Sequence, residues 1–339
     1  MKNIVTFGEI LLRLTTPGFK TIKQSQSFDG VFGGGEANVA MALAQYGFNV
    51  NFVTKVPKHA LGRSAMQFLN YFGVNTDHVV YDEQRLGVYF LEKGYSIRPT
   101  RVIYDREQSS FACSKINDYD FDIIFENVDW FHLGGITPAL SEELFEISLV
   151  ALEIAQKKGV KTSCDLNYRK SLWSFKSARA KMSILMKNID VCFGIEPLEL
   201  PTYDDQDYKD RCEKPFSEEE IKKIMSQLKE MYQFTQIVHT FRTEKSVNQN
   251  EISAIVMDDQ GFFKSKTVDV QIVDRVGTGD AFAAGMIYGL LQFDSMQKTI
   301  DFATASFALK HTIEGDANIL DLSDILHFMN ADHPLSIIR

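Results

Sequence analysis

The sequence predicts an α/β protein with a mostly parallel central sheet, helices on both faces and a small β-sheet lid. Two observations carry this. Short β-branched or aromatic runs alternate with amphipathic stretches along most of the chain, the pattern of strands joined by crossover helices. Two segments, 11–34 and 85–112, break that rhythm with turn residues, Thr, Tyr and Val, and read as short strands outside the main sheet.

Taken in order, the strand candidates are IVTFGEI, NFVTKV, WFHLGG, VKTSCDLN, DVCFGIE and QIVHTF. The N-terminus has one Lys and then an apolar run broken by Glu9 and Arg13, so it reads as a first strand and not as a signal peptide. ISLVALEIAQKKG supplies a helix between strands. A second helix start is marked by Phe216, Ser217, Glu220 and Ile221, which fit a capping box with a hydrophobic staple; Ile221, Ile224, Met225, Leu228 and Met231 follow at helical spacing. In RVIYDR, strand alternation places Val102, Tyr104 and Arg106 on one face and Arg101, Ile103 and Asp105 on the other. The charged, aperiodic stretch at 203–215 reads as a solvated surface loop.

Composition narrows the function classes. A chain of 339 residues with 45% hydrophobic and 24% charged residues is that of a soluble globular protein, expected in the cytoplasm. No run approaches the roughly 18 uninterrupted apolar residues of a membrane helix, so no membrane partner is expected. A net charge of −9 opposes binding along a nucleic-acid backbone, so an anionic substrate would need a few placed arginines. Cys113, Cys164, Cys192 and Cys212 form no CxxC pair and read as reduced thiols.

The chemistry-bearing stretch is VGTGDAFAAG, residues 276–285. Gly277, Thr278 and Gly279 fall where a helix begins and its first N–H groups are unpaired, a natural anion site. Asp280 in that first turn is either a helix-stabilising acid or a general base beside an anion hole; composition alone leaves both open. A second cluster, GGGEANVA at 33–40, also precedes a helix, but it lacks the third glycine of a dinucleotide fingerprint. GxxxxGK[ST] is absent from the chain, so a nucleotide would be held without a Walker loop.

DRVGTGDAFAAG resembles the C-terminal signature of the ribokinase-like (PfkB) carbohydrate kinases, and FGGGEANVAMALAQYG resembles their N-terminal one. The resemblance covers nearly the whole chain and implies one kinase domain over 1–339 with a ribokinase-like three-layer fold. It implies Asp280 as catalytic base, Gly277, Thr278 and Gly279 as anion hole, and sugar contacts from Gly33, Gly34 and Asn38. Thr240, Arg242, Gly277, Gly279 and His311 would meet the nucleotide, with His311, like His239, also open to a reading as a satisfied core histidine. The cofactors implied are ATP and Mg²⁺, with room for a monovalent cation such as K⁺; the partner implied is a second copy, through the lid.

Within that family FGEILLRL, GVYFLEKG, RPTRVIYDR, SCDLNYRKSLW and KHTIEGD resemble kinases of 2-keto-3-deoxygluconate. Tyr89, Tyr104, Arg106, Asn167 and Arg169 would then line the substrate site, the arginines near the carboxylate, where a guanidinium can make paired charge-assisted bonds. Asp165 falls at a strand's carboxyl end, where open α/β sheets place ligands. The chain departs from the family at Ile195, where Asn is expected, leaving Glu196 or Glu199 to orient metal-bound waters, and at Glu314, where relatives often have Pro. The alternatives are another sugar (fructose, ribose or 5-dehydro-2-deoxygluconate) and a catalytically weak sugar-binding sensor; a dinucleotide-dependent dehydrogenase is a distant rival.

Overall fold

The computed structural model describes residues 1–204 and 206–331. Residues 332–339, the end of the domain read from the sequence, lie outside the described residues. The chain sorts into two compact units: residues 1–113, 241–254 and 264 onward form one, and 114–240 with 255–263 form the other.

In the first unit, strand Asn3–Phe7 pairs in parallel with Asn49–Val53, with Ile4 beside Val50 and Phe7 beside Val53. Ile4, Val5, Phe7, Val50, Phe52 and Val53 are all fully buried, the continuous apolar run of a strand covered on both faces. A separate four-stranded sheet has the order Asp29–Gly33, Leu11–Thr15, Gly87–Glu92, Arg101–Asp105; its strands lie inside 11–34 and 85–112. Leu11, Tyr89 and Leu91 form its buried side, with Val276 packed against them. Helix Thr278–Gln292 packs against helices Met296–Lys310 and Gly35–Gln45, and its Ala and Gly positions let the backbones approach.

The second unit is a parallel sheet in which Trp130–Gly134, Lys161–Asp165, Val191–Phe193 and the start of Gln236–Ser246 are neighbours in sequence order. Helix Glu142–Lys157 follows the first of these strands and buries Leu144, Ile147, Ala151, Leu152 and Ala155, residues spaced three and four apart. Helix Glu218–Tyr232 starts where the capping pattern places it, with the Ser217 hydroxyl accepting from the Glu220 N–H. Two details differ from expectation. The Glu220 carboxylate accepts from the Tyr208 hydroxyl, and Met231 is exposed while Tyr232 is buried, because the apolar stripe drifts by one position at the last turn. The stretch at 203–215 is not simply solvated: Lys209 is fully buried, its ammonium bonded to Asp207 and to the Leu198 carbonyl.

Candidate active site

Helix Thr278–Gln292 begins at Gly277, whose φ of 75° is left-handed, and no side chain caps it. The carbonyl of Asp316 presses on this turn: a Cβ at Gly277 would lie 1.6 Å from it. Gly277 is therefore required by the fold itself. Gly279 is different, because a Cβ there would meet nothing within 4 Å, so the open side of the helix start is at Gly279. The Arg242 guanidinium donates through Nη2 to Thr278 Oγ1 at 3.0 Å and lies over the Phe307 ring, while its buried Nε has no partner in the structure. Burial, and then the nearby Arg275 charge, push its pKa down to about 10, so it remains a cation at neutral pH. A cation with no carboxylate bonded to it, beside an uncapped helix start, is an anion receptor.

Asp280 is half-buried in the first turn of that helix. Asn38, one turn into helix Gly35–Gln45, donates from Nδ2 to Asp280 Oδ2 at 2.7 Å, and its Oδ1 accepts from the Gly34 N–H at 3.3 Å. The two glycine signatures thus meet at one carboxylate. Gly33 and Gly34 serve that meeting by close packing: a Cβ at Gly33 would be 2.2 Å from the Asp316 carboxylate, and one at Gly34 would be 2.1 Å from the Glu9 carbonyl.

The lid residues correct the sequence reading. Tyr104 and Arg106 do share a side, with the Arg106 guanidinium 5.6 Å from the Tyr104 ring centre, and Tyr89 lies 5.5 Å from the same ring. Arg106, however, is buried and its Nε and Nη2 both donate to Glu9 Oε2, so its charge is already matched inside the protein. The Tyr89 hydroxyl is likewise engaged, donating to Asp316 Oδ2 at 2.5 Å, and burial is the main reason its pKa is well above the usual value. His311 is fully buried, its Nδ1 facing the Phe307 carbonyl at 2.7 Å; a side chain with no exposed surface cannot wall a nucleotide pocket directly.

In the second unit Asn167 and Arg169 follow the carboxyl end of strand Lys161–Asp165. Asn167 has a left-handed φ of 34°, and its N–H donates to Asp165 Oδ1 at 3.0 Å, an Asx turn that re-aims the chain. Burial raises the Asp165 pKa, and Arg169 beside it, itself exposed, opposes the rise. Thr240 is exposed near the end of its parallel run. Of the two glutamates expected to orient metal-bound waters, Glu196 has Lys209, Arg179 and Lys214 each within 4.0 Å, a surround of cations, and Glu199 is exposed beside buried Leu198 and Leu200. Among the described residues no three His, Cys, Asp or Glu side chains are grouped to hold a metal ion. Ile195 is buried in the core.

Sequence reasoning missed a buried network that underlies the glycine turns. Arg13 donates to Asp274 Oδ2 at 2.5 Å, Asp316 Oδ1 at 2.7 Å and Thr15 Oγ1 at 2.8 Å. Its signal was present in the sequence, since a charged residue in an otherwise apolar strand run demands buried partners.

A half-buried carboxylate fixed by an amide, at an uncapped, glycine-opened helix start beside the Arg242 guanidinium, is an arrangement that phosphoryl transfer can use. The chain belongs to the pfkB family of carbohydrate kinases, whose description matches residues 1–321; it is a phosphotransferase acting on an alcohol group, with the ribokinase-like α/β fold of a mostly parallel sheet and helices. It is similar to a solved 2-dehydro-3-deoxygluconokinase from Thermotoga maritima, at 41% identity over 97% of this chain and 98% of that one, with a TM-score of 0.90. It is also 30% identical to a 2-dehydro-3-deoxygalactonokinase from Haloferax volcanii, over 95% of both chains. A more distant protein of the same fold, from E. coli, has been solved in complex with ATP and Mg²⁺ (19% identity, TM-score 0.78, 97% and 99% covered).

Proposed function

We propose that this kinase phosphorylates the primary hydroxyl of 2-keto-3-deoxygluconate from ATP. The carrying observation is the Asn38-held Asp280 carboxylate beside the open backbone at Gly279. The name of the relative at 41% identity supports the choice of sugar. Asp280 takes the proton of the hydroxyl; its oxygen then attacks the γ-phosphorus in line, and the bond to the bridging oxygen of ADP breaks. The first-turn N–H groups and Arg242 face the phosphoryl oxygens and stabilise charge that grows in the transition state. Arg242 and Thr240 are assigned to the nucleotide; Asn167 and Arg169, to the acid sugar, with Arg169 taking the carboxylate. Tyr104 presents its exposed ring to the sugar.

Among the described residues no three carboxylate, His or Cys side chains form a cage, and magnesium would be carried on the nucleotide phosphates with at most one or two carboxylates from the protein. Such an ion neutralises phosphate charge. The resemblance also supports a monovalent-ion requirement, tested by turnover in KCl against choline chloride. A second copy is proposed to pair through the lid: edge strand Arg101–Asp105 leaves Val102, Ile103 and Tyr104 exposed, an unprotected apolar edge. Light scattering reads the mass directly, and a monomer at micromolar concentration overturns the pairing. No described helix is long and apolar enough to cross a membrane, and a cytoplasmic location is proposed with the rest.

The test is ADP release with Mg-ATP and a panel of 2-keto-3-deoxygluconate, its C4 epimer 2-keto-3-deoxygalactonate, 5-dehydro-2-deoxygluconate, fructose and ribose. The epimer is included because the relative from Haloferax volcanii is named for it. Turnover confined to the keto-deoxy acids supports the reading and ranks the epimers. Turnover with a neutral sugar alone removes the role given to Arg169, and sugar binding without ADP marks a sensor.

A further inference from the structure

The reaction as proposed leaves one buried, charged assembly unexplained, and its placement points to a task. Arg13 stands on strand Leu11–Thr15 of the lid sheet and is 2% exposed. Its guanidinium is divided between two carboxylates that belong to two different loops, Asp274 and Asp316. Asp274 in turn accepts from the Val276 N–H at 3.1 Å and from the Gly315 N–H at 3.3 Å, so it ties the turn entering the anion hole to the loop that carries Asp316. Asp316 accepts from Tyr89 on a neighbouring lid strand, and it touches both glycine turns: its carbonyl bears on Gly277 and its carboxylate on Gly33. Lys310, fully buried, donates to the Ile313 carbonyl at 3.3 Å; burial lowers its pKa, and the charges of Asp274, Asp316 and Asp280 oppose that fall.

The chain had cheaper ways to stabilise this corner. A buried ion group of this kind gives little net stability over well-packed apolar residues, because desolvation offsets most of the attraction. What it gives instead is direction: a guanidinium fork binds two acceptors at fixed angles, so the two loops are fixed relative to each other and to the lid strand. The loop of Asp274 runs into the helix start that presents Gly279 and Asp280, and the loop of Asp316 bears on that start through its carbonyl at Gly277.

We infer that Arg13 is a positioning residue for phosphoryl transfer, acting through Asp274 and Asp316 to hold the Gly277 turn where the helix N–H groups and Asp280 meet the transferred group. Arg13 is itself buried and its guanidinium bonds run to Thr15, Asp274 and Asp316, and this inference rests on the Asp280 reading above. A displacement of about 1 Å at a reacting centre costs roughly 100-fold in rate, so a loosened turn is read in kcat and not in substrate affinity.

The experiment uses the full chain with Arg13→Lys and Asp316→Asn, singly and combined. In variants shown to be folded by circular dichroism well below their melting temperatures, kcat should fall about 10- to 100-fold. KM for ATP and sugar should stay within about threefold, and the double variant should lose no more than the worse single one, because the two act as one unit. Amide hydrogen exchange at 276–280 gives a readout that does not depend on turnover: it should quicken at least tenfold in either variant while exchange in strand Lys161–Asp165 is unchanged. Unaltered kcat in folded variants, a loss confined to KM, or additive losses would each overturn the positioning role. If neither variant folds, Thr15→Val, which removes one acceptor and no charge, must still quicken exchange at 276–280, and no change there overturns it. A wild type silent toward every sugar, with exchange responding as expected, would instead discard the kinase reading and leave the clamp standing.

Discussion

Asn38 Nδ2 lies 2.7 Å from Asp280 Oδ2, joining side chains 242 residues apart in sequence. The bond orients the Asp280 carboxylate through Asn38, and Asn38 is in turn set by the Gly34 N–H. Two substitutions separate chemistry from aim. Asp280→Asn removes the base and should lower kcat by about 10²–10⁴, with sugar and ATP binding by calorimetry nearly unchanged. Asn38→Ala keeps the base and frees its rotamer, so the loss should be smaller, about 10- to 100-fold. A variant Asp280→Asn with most of its rate would remove the base assignment.

The two glycines of the helix start make an opposed pair. Gly277→Ala forces a side chain into a left-handed position and against the Asp316 carbonyl. It should destabilise by roughly 1–3 kcal/mol from backbone strain alone, with the clash added. Gly279→Ala meets nothing in the protein. It replaces a poor helix former, so the melting temperature should hold or rise, by up to about 1 kcal/mol of stability. If the open space at Gly279 is where phosphoryl oxygens approach, the same methyl group should cut kcat on the order of 100-fold. A stable, fully active Gly279→Ala protein would place the anion elsewhere.

Much of this was legible because it is local. Parallel strands such as Asn3–Phe7 are short runs of β-branched and aromatic residues, and Ser217 announces a helix by its spacing from Glu220. The signature around Asp280 is contiguous and so could be recognised whole. What could not be read is pairing at a distance. Alternation placed Tyr104 and Arg106 on one side correctly, yet it could not say that Glu9 waits there to bind Arg106. The same holds for Tyr89 and Asp316, and for Arg13: a period-two pattern assigns a face, while the partner on that face is a property of the tertiary fold. The surroundings of Glu196 were hidden for a related reason, since its cations come from helix Phe175–Leu185 and from the 203–215 stretch.

The two arginines proposed from sequence for the carboxylate now divide by burial. Arg169 is exposed, and its removal should leave stability within about 0.5 kcal/mol. Losing one charge-assisted contact of about 1.5–3 kcal/mol should raise KM for an acid sugar roughly 10- to 150-fold. Arg106→Ala leaves the Glu9 carboxylate buried with its guanidinium gone, which should cost about 3–5 kcal/mol of stability. Thermal denaturation and steady-state kinetics on both variants check the division, and it fails if Arg169→Ala melts early or Arg106→Ala does not.

Acid should weaken the fold earlier than carboxylate titration alone would. His132 is 2% exposed in strand Trp130–Gly134. Trp130 donates to Ser163 Oγ at 2.8 Å, and His132 Nδ1 shares a hydrogen bond with the same oxygen, also at 2.8 Å. Burial pushes the His132 pKa down to about 3, and burial likewise pushes His239 and His311 to about 4. A base whose folded pKa is depressed takes up a proton on unfolding at any pH between its folded and unfolded values. Stability from these groups is therefore complete above pH ~6.5 and is lost as pH falls toward the folded values. Each histidine contributes a slope of up to about 1.4 kcal/mol per pH unit in that window. Between about pH 6.5 and 5, above the ordinary carboxylate range, the melting temperature should drop steeply, and His132→Asn should flatten the slope by close to one proton whatever its effect on stability at neutral pH. An unchanged slope in that variant would mean that His132 is charged in the folded protein, and the Ser163 hydroxyl would then have to face away from it.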